Sequence, residues 1–176
     1  MRHSDPKTGP RVSLVAANQT PATRALDSLG ISYTVRPYDH DPNTRAYGDE
    51  VVQKLGLPPE QVFKTLVVTT DHGLAVGIVP VPARLDTKAL ARALGAKKAS
   101  LAPLPEAEKA TGYQAGGTSP FGQRTRLRTV VDASALDQET VVVSAGRRGL
   151  QVELAPADLA SATSAVVAPI AATPGR

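Results

Sequence analysis

A chain of 176 residues, 41% hydrophobic but only 3% aromatic, suits one domain whose core must be packed from Val, Leu, Ile and Ala. With no cysteine, a disulfide framework, a thiolate metal site and a protein thiol nucleophile are all excluded. A formal charge of +4 admits a polyanionic partner without requiring one; no apolar run approaches the ~20 residues that span a bilayer and Met1 to Arg11 lack a signal-peptide apolar region, so we expect a cytoplasmic protein with no membrane partner.

Met1 to Gln19 carry Pro6, Gly9, Pro10 and scattered charge without periodicity, which predicts a flexible extension over 1–19, a domain over 20–170 and a tail over 171–176. Thr20 can cap a helix, Pro21 suits its first position, Ala22, Ala25, Leu26 and Leu29 share a face, and Gly30 closes it. Ile31, Tyr33 and Val35 then alternate with polar neighbours up to Pro37, as in a half-buried strand. Tyr47, Val51 and Leu55 recur at helical spacing and Gly56 ends that helix before Pro58-Pro59. Val62 to Thr70 and Leu74 to Val79 flank Asp71-His72-Gly73, a hairpin pattern. Asp86 caps a helix through Leu94, and Pro105 opens a shorter one ended by Gly112. Strands are predicted at Leu127 to Val131, Thr140 to Ser144 and Leu150 to Leu154, with a last helix from Pro156. Helices and strands do not alternate strictly, which predicts an α+β fold with a mixed, largely antiparallel sheet rather than a doubly wound parallel one.

The run Gly116-Gly117-Thr118-Ser119-Pro120-Phe121-Gly122 permits close backbone approach to a ligand or serves as an ordinary connection, and it is neither a P-loop nor a dinucleotide fingerprint. Lys64 interrupts an apolar strand, either as an edge-protecting charge or as a functional one. Arg124, Arg126 and Arg128, if extended, share a face that can meet successive phosphates, enlarged by Lys97-Lys98 and Arg147-Arg148; a solvated sheet edge reads equally well. His3, His40 and His72 lack metal-ligand spacing, and His40 fits a turn histidine supported by nearby carboxylates. Ser119 and Ser144 lie outside any Gly-x-Ser-x-Gly elbow, so a triad hydrolase has no support.

Taken in order, Gly48-Asp49-Glu50-Val51-Val52, Val62 to Leu66, Leu94 to Lys98, Thr111-Gly112-Tyr113, Gly116 to Gly122 and Ser144 to Leu150 resemble the YbaK/EbsC family of aminoacyl-tRNA editing domains across roughly residues 20 to 170. The resemblance implies an α+β fold whose sheet curls toward a barrel, and removal of cysteine from mischarged Cys-tRNA(Pro), with Cys-tRNA(Cys) as a further substrate. Alanine or another small amino acid is the near alternative, and a non-catalytic tRNA-binding module the distant one. It places Lys64 at the family's functional lysine, Gly116 and Pro120 in its Gly-x-x-x-Pro motif, and Tyr38, Gly117, Ser119, Ser144, Gly146 and Gln151 around the substrate. Lys97, Lys98, Arg124, Arg126, Arg147 and Arg148 would meet tRNA. It implies a substrate thiol as nucleophile, no cofactor or metal, and prolyl-tRNA synthetase as a partner, with no oligomeric state specified. Two positions depart from the pattern: Gln151 stands where an acidic residue is frequent, with Glu153 two residues on, and Ala145 replaces a second glycine.

Overall fold

The computed structural model describes residues 18–172; residues 1–17 of the extension expected over 1–19, and the last four positions, lie outside them. Helix α1 (Pro21–Ser28) begins as its sequence predicts, because Thr20 and Thr23 form a reciprocal capping box that satisfies otherwise orphaned amides. Its Ala22 and Leu26 are fully buried. Strand β1 (Thr34–Pro37) follows, and the expected alternation holds: Ile31, Tyr33 and Val35 are half-buried while Ser32, Thr34 and Arg36 are exposed.

Helix α2 (Tyr47–Leu55) stops at Gly56, which takes the left-handed φ of 63°. Strands β2 (Phe63–Thr70) and β3 (Gly73–Pro80) form the predicted hairpin, registered from Phe63 opposite Pro80 to Thr70 opposite Gly73. After the short β4 (Arg84–Leu85), Asp86 caps helix α3 (Thr87–Leu94) by accepting from the Ala89 amide at 3.0 Å. Strand β5 (Ala99–Leu101) and helix α4 (Leu104–Thr111) precede the glycine-rich loop, with Pro105 in the first turn of α4. Then come β6 (Arg128–Asp132), β7 (Val141–Arg147), β8 (Leu150–Leu154), α5 (Pro156–Thr163), β9 (Val166–Ala168) and β10 (Ala171–Ala172).

The sheet is mixed and mostly antiparallel, as predicted. One sheet has the order β5-β2-β3-β6-β9, a second β1-β8-β7, and β10 pairs with β4; among the described strand pairs β3–β6 and β6–β9 are parallel and the rest antiparallel. Strand β5 pairs only with Val68 to Thr70 of β2, while the chain entering β2 meets β7 through an isolated parallel bridge between Val62 and Val142. The two larger sheets thus lean together around one buried cluster that includes Phe63, Val67, Ile78, Val143, Leu150 and Val152, without closing into a barrel. Ala171 and Ala172, expected as tail, instead pair with Leu85 and Arg84. The buried Asp132 carboxylate fixes that segment by accepting from the Ile170 and Ala171 amides at 2.8 and 2.9 Å.

Candidate functional site

A cavity of about 210 Å³ opens where the start of β2 separates from β7. Tyr47, Gly48 and Val51 of α2 line it together with Val62 to Leu66, Val81, Gly116, Thr118, Ser144 and Gln151. Four residues expected at the site, Lys64, Gly116, Ser144 and Gln151, therefore meet at one place although up to 87 positions separate them in sequence (151 − 64).

Among the described residues, Lys64 is the one charged side chain on this lining. It is half-buried, donates from Nζ to the Val81 carbonyl at 3.3 Å, and its pKa is lowered by burial, with the Asp49 carboxylate opposing the shift. A cation held in a partly dry, mainly apolar recess favours an anionic ligand such as a phosphate. Its neighbour Thr65 also lines the cavity, and Thr65 Oγ1 is buried without a hydrogen-bond partner.

Ser144 precedes an irregularity in the β7–β8 ladder, which shifts register between Ser144 and Arg147. Its Oγ accepts from the Gly146 amide at 3.2 Å. Gly146 adopts φ 107°, and a side chain there would meet the Tyr113 ring at 2.8 Å; Ala145 keeps a negative φ, is fully buried, and its carbonyl accepts from Thr20 Oγ1 at 2.5 Å. The glycine replaced by Ala145 is therefore not needed for the bulge. Gln151 is buried opposite Ser144, and the phenol of Tyr38 is raised mainly by burial and also by the Glu50 carboxylate, against the lowering effects of Gly149, Gln151 and Arg148. Tyr38 does not line the cavity; its amide donates to the Gly149 carbonyl at 2.9 Å. Glu153 shares the strand face, as expected, but Arg36 holds it at 2.5 Å and it does not line the cavity.

The glycine-rich loop is tied at its base, where Tyr113 Oη donates to the Phe121 carbonyl at 2.6 Å. Gly116 has φ 80° and lies against the Tyr47 ring, so a Cβ would come within 2.6 Å of ring carbons; one on Gly117 would strike the Arg147 backbone at 2.9 Å. Ser119 is fully buried and its Oγ accepts from the Phe121 amide, a loop-shaping bond. Pro120 does not reach the site cavity: it lines a second cavity of about 390 Å³ with Leu29, Phe121 and Arg126, because the loop turns over between Gly116 and Pro120.

The basic residues divide. Lys97 and Lys98 are exposed, their amides held by Asp71 Oδ1 at 2.8 and 3.1 Å. The arginines at 124, 126 and 128 do not share the expected extended face, since only Arg128 lies in β6. Arg124 packs beside Gly112, Arg126 donates to Ser164 Oγ at 2.8 Å, and Arg128 to the Leu94 carbonyl at 2.9 Å. Arg147 is exposed, whereas Arg148 is half-buried, donates from Nε to the Ala115 carbonyl at 2.8 Å and lies 4.9 Å over the Tyr47 ring. His40 Nδ1 contacts Glu50 Oε1 at 2.6 Å. It is thus braced by a carboxylate on α2 rather than by its sequence neighbours, and no histidine among the described residues lines the cavity.

Sequence reasoning missed Tyr47 and Thr65 as site residues. The helical spacing of Tyr47 marked it as packing, and a strand threonine carries no signal until its partners are known.

The sequence model of the aminoacyl-tRNA editing domain matches residues 41–162. The "Putative Cys-tRNA(Pro)/Cys-tRNA(Cys) deacylase EbsC" of Enterococcus faecalis is 39% identical over 123 residues, 69% of this chain and 75% of that protein. Among solved structures, a "putative trans-editing enzyme for prolyl tRNA synthetase" superposes with TM-score 0.75 at 24% identity, over 94% of this chain and 99% of that one. A hypothetical protein superposes with TM-score 0.77 at 25% identity, over 87% and 100%. With its fold, its lysine-centred cavity and this match over most of its length, the chain belongs to the aminoacyl-tRNA editing domain family.

Proposed function

We propose that the protein is a trans-editing aminoacyl-tRNA deacylase that removes cysteine from mischarged Cys-tRNA(Pro), and also from Cys-tRNA(Cys), by substrate-thiol-assisted cleavage. The observation that carries this reading is a small cavity with a cation, a buried unpartnered hydroxyl and half-buried glycine backbone, lined by no histidine or carboxylate among the described residues. A relative named as a Cys-tRNA deacylase supports the choice of cysteine.

Lys64 holds a phosphate next to the acylated ribose of the tRNA, while Gly116, Thr65, Ser144 and Gln151 orient the ester and the amino acid. The substrate sulfur attacks the ester carbonyl carbon, and the bond from that carbon to the terminal ribose oxygen breaks. The thiol proton ends on the ribose hydroxyl and the acyl group leaves as a cyclic thiolactone. The protein then contributes proximity and electrostatic positioning rather than a covalent nucleophile. Such a second site suits error correction, because one methylene or small group separates competing amino acids by only ~1–3 kcal/mol at a single pocket.

Exposed Lys97, Lys98 and Arg147, with Arg124, supply phosphate contacts outside the cavity, and prolyl-tRNA synthetase supplies tRNA selection through a tRNA-dependent association. Incubating the protein with Cys-tRNA(Pro), Cys-tRNA(Cys) and Ala-tRNA(Pro) and following ester loss tests the reading. Selective loss of the cysteinyl esters with thiolactone formation supports it. Equal loss of the alanyl ester points to an activated water instead, and salt-sensitive binding without ester loss points to a binding module. Pull-downs with tRNA present that fail to enrich the synthetase would remove that partner.

A further inference from the structure

The geometry points to Arg148 as a positioning residue that holds the Gly116 wall of the cavity against Tyr47, rather than as a phosphate contact. Its kinetic test rests on the deacylase reading above; its structural test does not.

The guanidinium has two intramolecular partners on different elements. Nε donates to the Ala115 carbonyl at 2.8 Å, one residue before Gly116, and the group lies 4.9 Å over the ring of Tyr47, the first residue of α2. The same ring lies on Gly116, where a Cβ would approach it to 2.6 Å, and Gly117 rests on the backbone of Arg147 and Arg148 at 2.9–3.1 Å from a built Cβ. The β7–β8 turn, the glycine loop and the start of α2 therefore meet at one half-buried arginine. Both Tyr47 and Gly116 face the cavity, so releasing Arg148 frees two walls at once. A lysine cannot substitute, because an ammonium lacks both the planar face and the fixed Nε donor.

The test compares the full-length wild type with Arg148→Ala, Arg148→Lys, Tyr47→Ala and the Tyr47→Ala/Arg148→Ala double variant. Hydrogen exchange is followed at Gly117, whose amide donates to the Gln114 carbonyl at 2.9 Å, and in β3 as a control for global opening. Single-turnover cleavage of Cys-tRNA(Pro) and tRNA affinity are measured across a salt series. We expect Arg148→Ala to speed Gly117 exchange about tenfold with β3 unchanged, and to slow cleavage about tenfold with tRNA affinity and its salt slope unchanged. Arg148→Lys should not rescue either effect, and the double variant should lose little beyond the single ones.

A salt slope lower by about 0.7–0.9 in Arg148→Ala and restored in Arg148→Lys would mark a phosphate contact and overturn the inference. Unchanged exchange and cleavage would overturn it too. If the wild type cleaves no aminoacyl ester, the deacylase reading fails alone; Gly117 exchange then decides, faster in Arg148→Ala supporting the clamp and unchanged rejecting it.

Discussion

Lys64 works against the stability of the fold that holds it. Its pKa is lowered from 10.5, first by burial and against the pull of Asp49, so the unfolded chain binds more protons between the lowered value and 10.5. Stability attributable to this group therefore rises with pH through that window. Lys64→Met should melt higher than wild type at pH 7, with the gap closing as pH approaches 10.5, while ester cleavage falls on the order of 100-fold; thermal melts at several pH values and single-turnover assays check both. Glu50 shows the opposite sign. Burial raises its carboxyl, but His40 and the Asp41 amide, with Lys54, more than offset that and leave it lowered from 4.5. Its contribution is present above about 4.5 and is lost as pH falls through the lowered folded value. Glu50→Gln should cost about 1–3 kcal/mol at neutral pH and flatten the acid side of a stability-versus-pH curve measured by urea melts.

At the scale of elements, the glycine-rich loop depends on its base as well as on its glycines. Tyr113 is buried, its phenol raised to about 12 chiefly by desolvation, so it stays a donor to the Phe121 carbonyl throughout the working range. Tyr113→Phe leaves that carbonyl without its partner, at about 1–3 kcal/mol, and should lower the cleavage rate by loosening Gly116 without weakening tRNA binding. A rate measured at saturating enzyme, beside a tRNA titration, separates the two. Helix α2 is anchored in a comparable way, since the His40–Glu50 contact ties the loop after β1 to the helix that presents Tyr47 and Gly48.

For the whole molecule, Lys64 puts one charge inside the cavity while Lys97 and Lys98 are exposed outside it. No helix among the described residues is long and apolar enough to cross a membrane. The two main sheets lean together at the Val62–Val142 bridge, and Val62 also lines the candidate site. Replacing Lys97 and Lys98 by Ala should lower the salt slope of tRNA binding by about 0.7–0.9 for each phosphate that these lysines neutralise and leave single-turnover cleavage near wild type; an unchanged slope would place tRNA elsewhere.

Local grammar was legible because it is carried by neighbours in the chain. The Thr20 cap, the Gly56 stop and the Asp71–Gly73 hairpin turn each depend on residues a few positions apart. The ordered motifs likewise indicated the family and brought Lys64, Gly116, Ser144 and Gln151 to notice. The two-residue strands β4 and β10 escaped, because their pairing is long-range and too short to leave a period. So did the direction in which side chains face. Tertiary structure alone sent Pro120 to a second cavity, dispersed Arg124, Arg126 and Arg128, and put Tyr47 on the wall beside an unpartnered Thr65. Sequence determined the longer helices, the hairpin and the family, since propensity, capping and motif order are local; only packing decided which candidate residues share a surface, since burial and hydrogen-bond satisfaction are properties of the assembled fold.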